Sequence, residues 1–189
     1  MPTSKDTPST LARIEETLAA LCAEVAVVRA KVEALEGGNA QMTTAEIIEF
    51  LDGYRAAEAL AASAFGAWIA VSETPCLRGG LRAVQMREAY HAKLFEERIK
   101  ELGGSPKAEL GADAEKFFTA LGASDTSDAE KVASFVAAAG DPKIIEQLEA
   151  RAARMNGDEE TQFLLRCVIE DERASLALIH QAHELLCGS

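Results

Sequence analysis

The apolar side chains of this chain recur on a helical period from one end to the other. Leu11, Ile14, Leu18, Leu21, Val25, Val28, Val32 and Leu35 follow one another at spacings of three and four residues. A repeat of about 3.5 residues winds an apolar stripe along one side of an α-helix and makes the seam of a coiled coil. Glu15, Glu24, Arg29, Lys31 and Glu36 flank that seam. Thr7-Pro8 supplies an N-cap with proline at the first helical position, and Gly37-Gly38-Asn39 stops the helix. Such a stripe is not stable facing water, so the helix pairs with copies of itself or folds back on the rest of the chain. Self-association through this coiled-coil arm, residues 1–38, is the expectation. Valine and leucine are mixed at both seam positions, so the number of strands stays open.

Beyond the arm the same period continues. Thr43-Thr44-Ala45-Glu46 is a capping box that starts a helix running to about Val71, with the stripe Ile47, Leu51, Tyr54, Glu58, Ala61, Phe65, Trp68. Ser72-Glu73-Thr74-Pro75 breaks it. A second helix is expected from about Leu81, after Gly79-Gly80, to Leu102, with the stripe Leu81, Val84, Glu88, His91, Phe95, Leu102. Gly103-Gly104 ends it, and a less regular connection follows with a short helix around Asp113–Leu121. A second capping box, Ser127-Asp128-Ala129-Glu130, opens a helix that ends near Gly140; Asp141-Pro142 restarts helix at once, and Asn156-Gly157 ends it. The last helix runs from about Asp158 to Leu186 with the stripe Leu165, Val168, Glu172, Ser175, Ile179, Ala182, Leu186. No segment alternates apolar and polar residues for long, so strands are not expected. Short turns join antiparallel neighbours, and the connection in the middle is long enough to cross from one hairpin to the other.

Composition narrows the partners. Hydrophobic residues are 48% of the chain, enough to build a core without disulfides, and Cys22, Cys76, Cys167 and Cys187 form no CxxC pair. Free thiols in a reducing compartment follow, and zinc-finger or thioredoxin chemistry does not. A net charge of −12 excludes a basic nucleic-acid surface. The first thirty residues lack a signal-peptide core, and Tyr54-Arg55 and Glu58 interrupt the most apolar stretch, so a cytoplasmic protein without a membrane span is expected.

Three stripes carry a carboxylate in a slot that the spacing assigns to the core: Glu58, Glu88 and Glu172. His91 occupies such a slot too, three residues after Glu88 and on the same helical face. An unpartnered ionised carboxylate in a core costs several kcal/mol, and three would also repel one another. A cation at their centre removes both problems, and carboxylates with an imidazole suit iron, manganese or zinc. The depths agree: Glu58 lies about 14 residues before the first turn and Glu88 about 10 after it, a difference of about 6 Å at 1.5 Å per residue. Glu172 lies about 15 residues past the second turn, near the same level at that rise. The other way to satisfy these acids is pairing with Arg55, Arg82, Arg87 or Arg173 at the edge of the core. His180 and His183 sit where a helix C-terminal dipole favours histidine. Tyr54 and Tyr90 have packing as their default role, and Trp68 belongs to the core.

Glu58, Glu88-Ala89-Tyr90-His91, and Glu172 within Glu170-Asp171-Glu172-Arg173 together resemble the ferritin and rubrerythrin superfamily over residues 43–187. The resemblance implies an all-α, ferritin-like antiparallel four-helix bundle preceded by the coiled-coil helix. It also implies an iron site with ferroxidase or peroxide-linked redox activity. Two departures stand out. Glu172-Arg173-Ala174-Ser175 carries serine where rubrerythrins place a second histidine, and the third helix, with the stripe Ile145, Leu148, Ala152, Met155, offers no acid; Glu149 lies at its edge and Glu146 points elsewhere. One good metal position is therefore expected, with the second weak or absent. The alternative is a metal-free bundle serving as an oligomeric assembly module.

Overall fold

The computed structural model describes residues 41–188, and within them every regular element is an α-helix. The coiled-coil arm expected over residues 1–38 lies outside the described residues. We number the helices α1 (Thr44–Val71), α2 (Pro75–Glu101), α3 (Ala112–Ala120), α4 (Asp128–Ala139), α5 (Lys143–Ala153) and α6 (Glu159–Cys187). Among the described residues, no helix is long and apolar enough to cross a membrane. Cys76, Cys167 and Cys187 are free.

Local chemistry sets the ends. Thr43 and Glu46 close a reciprocal capping box on α1, as Ser127 and Glu130 do on α4. α2 begins six residues earlier than the glycine pair suggests. Pro75 supplies a first helical residue that needs no N–H partner, and Gly79 and Gly80 lie inside the helix. Their roles differ: a Cβ at Gly79 would meet nothing, whereas one at Gly80 would lie 2.7 Å from Leu178 Cδ2. Gly80 is thus where α6 comes close to α2. At the other end of α2, Gly103 takes a positive φ of 82°, which ends the helix without Cβ strain.

α1 and α2 form a long hairpin, α6 lies against α2, and α4 and α5 both pack on α6. Three carboxylates pin the connections. Asp128 accepts hydrogen bonds from Trp68 Nε1, the Ser72 hydroxyl and the Thr74 N–H, holding the α1–α2 turn to the start of α4. Asp52 accepts from the Lys107 and Ala108 N–H groups, while Arg55 donates to the Ala108 carbonyl, so the segment after α2 is tied back along α1. Asp158, the N-cap of α6, accepts from Thr161 and from Arg98 of α2. The helix break expected at Asp141-Pro142 separates α4 from α5.

The buried apolar residues fall into two clusters at different levels. One gathers Ile47, Leu51, Phe95, Ile99, Ile145, Leu148, Met155 and Leu165 with their neighbours. The other gathers Phe65, Trp68, Leu81, Val84, Val132 and Ile179 with theirs. Along α1 the gap between the clusters contains Glu58; along α2 it contains Glu88 and His91; along α6 it contains Glu172. The interior is thus apolar at two levels and acidic between them.

Candidate metal centre

Glu58 comes from the middle of α1, Glu88 and His91 from one face of α2, and Glu172 from the middle of α6. The turn places the first two at one height, because Glu58 lies as many residues before Ser72 as Glu88 lies after Thr74. The structure brings all four side chains together. One ligand atom from each lies within 4.8 Å of the others. Glu58, Glu88 and His91 are buried, His91 completely, and Glu172 is partly covered.

Three atoms at this point have no hydrogen-bond partner although they are buried: Glu58 Oε2, His91 Nδ1 and Glu172 Oε1. They face one another, with His91 Nδ1 3.6 Å from Glu58 Oε2 and 3.4 Å from Glu172 Oε1. Buried polar atoms are nearly always satisfied within the protein or by something it holds. Here the orphans converge on a shared point.

Three of the four candidate arginines are occupied elsewhere, and Arg82 is exposed. Arg55 pairs with Asp52, Arg87 with Asp171, and Arg173 with Glu149 and Glu170. Among the described residues no arginine or lysine forms an ion pair with Glu58, Glu88 or Glu172. Burial consequently raises the pKa of both Glu58 and Glu88 well above the ordinary carboxylate range. Contact between the two lowers Glu58 and raises Glu88 further, so Glu88 is the harder of the pair to ionise. For His91 burial pulls the pKa down, but contact with Glu172 and Asp171 prevails and the net shift is upward. Tyr54, one helical turn before Glu58, titrates well above the usual tyrosine value because it is desolvated and faces Glu172, Glu58 and Glu88. Its ring packs edge-on against Phe95, with centroids 5.4 Å apart.

The other nitrogen of His91 has a partner that periodicity did not single out. Nε2 lies 3.2 Å from Asp171 Oδ2, and Arg87 Nε approaches the second oxygen of Asp171 at 3.8 Å. If Nε2 carries the proton, Nδ1 presents its lone pair to the carboxylates, which is how a carboxylate fixes the tautomer of a metal-binding histidine. Asp171 is half exposed, so this contact reaches from the closed interior to the surface. The available clue was Arg87, four residues before His91 on the same face of α2. Ser175, three residues after Glu172, is buried and accepts a hydrogen bond from Arg87 at 3.3 Å.

The remaining candidates stand apart from the centre. The third wall is acid-free as expected: Ile145, Leu148, Ala152 and Met155 are buried, while Glu146 and Glu149 are exposed. Tyr90 is 58% exposed and away from the cluster. His180 is exposed, and its Nε2 lies 3.0 Å from the Gly140 carbonyl. The helix end it caps is therefore that of α4, not its own, because α4 and α6 pack side by side. Trp68 is fully buried.

Comparison with protein-family models, with curated proteins and with solved structures finds no match to this chain.

Proposed function

We propose that this protein is a divergent ferritin-like four-helix bundle that binds one transition-metal ion, iron first and manganese or zinc as alternatives. Glu58, Glu88, His91 Nδ1 and Glu172 would hold the ion, with Asp171 orienting the imidazole. One observation carries the reading: the orphaned buried atoms Glu58 Oε2, His91 Nδ1 and Glu172 Oε1 converge on one point between two apolar clusters. A divalent cation there satisfies all three and neutralises carboxylates that no arginine reaches. Iron or manganese in that environment supplies redox chemistry toward dioxygen or peroxide, the basis of a ferroxidase or peroxidase-type activity. The chain's own part is to supply three carboxylates and one nitrogen, keep water from two sides with its apolar clusters, and hold a proton at His91 Nε2 against Asp171. The acid-free third wall supports a single metal position.

The test is metal content per chain by mass spectrometry after expression with iron supplied and without affinity-tag histidines. The expected result is close to one ion per chain, lost in Glu88→Ala with the helical content retained. A folded protein that carries no metal under iron, manganese and zinc supplementation overturns the reading.

A second reading has its own supporting observation. The raised pKa values of Glu58 and Glu88 let the pair stay protonated, which closes the core without an ion. On that reading the body is a metal-free, ferritin-like assembly module, and the coiled-coil arm makes a homo-oligomer of it. Glu88→Ala then leaves the metal content at zero and the stability unchanged or higher.

A further inference from the structure

We infer that the carboxylate cluster forms the floor of a binding chamber for a small, compact, apolar organic molecule. The chamber lies between α1, α2, α6 and the broken third wall, is partly open to solvent, and holds about 160 Å³. Its floor is made by Glu58, Glu88 and Glu172. Its sides are apolar, with Phe65, Val84, Phe118, Phe135 and Ile179 among them. His91 does not line it, so the imidazole and Asp171 approach the cluster from one side and the chamber opens on another.

The chamber exists because of the interruption at Gly140–Pro142. A continuous third helix would carry side chains past the level of the cluster; here α4 stops at Ala139 and α5 begins at Lys143. From the two sides of the break, Phe135 and Ala139 of α4 and Ile144 of α5 line the chamber. Ile144 is 39% exposed and stands at the mouth.

Size and chemistry together define the occupant. An apolar cavity of about 150 Å³ accepts benzene, and in this chamber the carboxylate floor is where water would find its partners. Apart from the floor, the polar side chains of the lining are Tyr54 and Ser175, and Ser175 is engaged by Arg87. A sugar, nucleotide or peptide would lose its hydrogen bonds on entry, whereas a hydrocarbon or single aromatic ring would not. A ligand with one polar group would direct it at the carboxylate floor. The purpose of the chamber, bringing such a molecule beside the ion, rests on the metal reading; its capacity to bind does not.

Benzene is the probe, titrated into the full-length, metal-free chain while the methyl NMR signals of Val84 and Ile179 are followed. Cobalt(II) binding to the same preparation is measured separately. The expected result is saturable shifts corresponding to one benzene per chain. Ala139→Phe and Ala57→Leu, which fill the chamber from opposite walls without altering a carboxylate, should each weaken binding at least about tenfold and leave cobalt uptake in place. Absence of saturable shifts in a chain that binds cobalt overturns the chamber and leaves the metal reading standing. Saturable shifts in a chain that takes up no cobalt do the reverse. Shifts that survive in both filled, folded variants place benzene elsewhere and also overturn the inference.

Discussion

Asp171 is a half-exposed acid whose contacts are His91 Nε2 and, more loosely, Arg87. Its role can therefore be separated from folding. On the proposed metal reading, Asp171→Asn weakens metal affinity by about 10–100-fold, the usual effect of losing the group that orients a histidine ligand. Competition against a chelator of known affinity measures this, and the melting temperature of the metal-free variant should stay close to wild type. An unchanged affinity would reduce Asp171 to a surface contact. The contrast between Asp171 and the four cluster residues shows what a residue reveals in sequence. Glu58, Glu88, His91 and Glu172 each break an apolar stripe, and a charge in such a slot has to be satisfied by something. Asp171 breaks nothing, because it lies beside the stripe and its partner belongs to another helix. Tyr90, next to His91 in sequence, points into solvent, so adjacency in the chain carried no information there.

At the scale of helices, the two glycines of α2 separate backbone propensity from packing. Gly79→Ala adds a methyl in open space and should stabilise the protein by up to about 1 kcal/mol. Gly80→Leu pushes against Leu178 and should cost about 1–3 kcal/mol by forcing α2 and α6 apart. Urea unfolding midpoints of both variants check the pair, and a neutral Gly80→Leu would deny the close approach. The latch at Asp52 is a second case. Burial alone would raise its pKa, but hydrogen bonds from the Lys107 N–H, Arg55 and the Ala108 N–H outweigh that and the net shift is downward. A carboxyl with a lowered folded-state pKa stabilises the protein above its unfolded value, and the contribution fades as pH falls through the folded value. Asp52→Ala should therefore cost about 1.5–3 kcal/mol at neutral pH, with the gap to wild type narrowing once the pH drops below the ordinary aspartate range. A gap that stays constant into that acid range would assign the loss to packing. None of this was visible in the stripes: glycine pairs read as turns until a neighbouring helix explains them, and the two backbone N–H groups that hold Asp52 lie some 55 residues away.

For the molecule as a whole, the proposed ligands come from α1, α2 and α6, so a bound ion ties together helices far apart in sequence. On that reading, metal at about 100 times its dissociation constant adds about 2.7 kcal/mol to unfolding, seen as one cooperative upward shift in the melting transition. A shift confined to part of the signal would mean that the helices do not unfold together. The arm carries its own expectation: removing residues 1–38 should lower the number of chains per particle measured by sedimentation while the helical body keeps its cluster, and an unchanged oligomeric state would move the interface elsewhere. The helical class, the capped ends, the break at Asp141-Pro142 and the acid-free third wall were all determined by the sequence by itself, because each depends on spacing or on contacts between residues a few positions apart. The resemblance to ferritins added an expectation about arrangement and chemistry. Only the tertiary structure decided that the four cluster residues meet at one level, that Asp171 meets the outer nitrogen of His91, that Gly80 lies against Leu178 of α6, and that a cavity opens beside the break between α4 and α5. These follow from the relative heights and rotations of helices, which are fixed by packing across the interior and leave no local pattern in the chain.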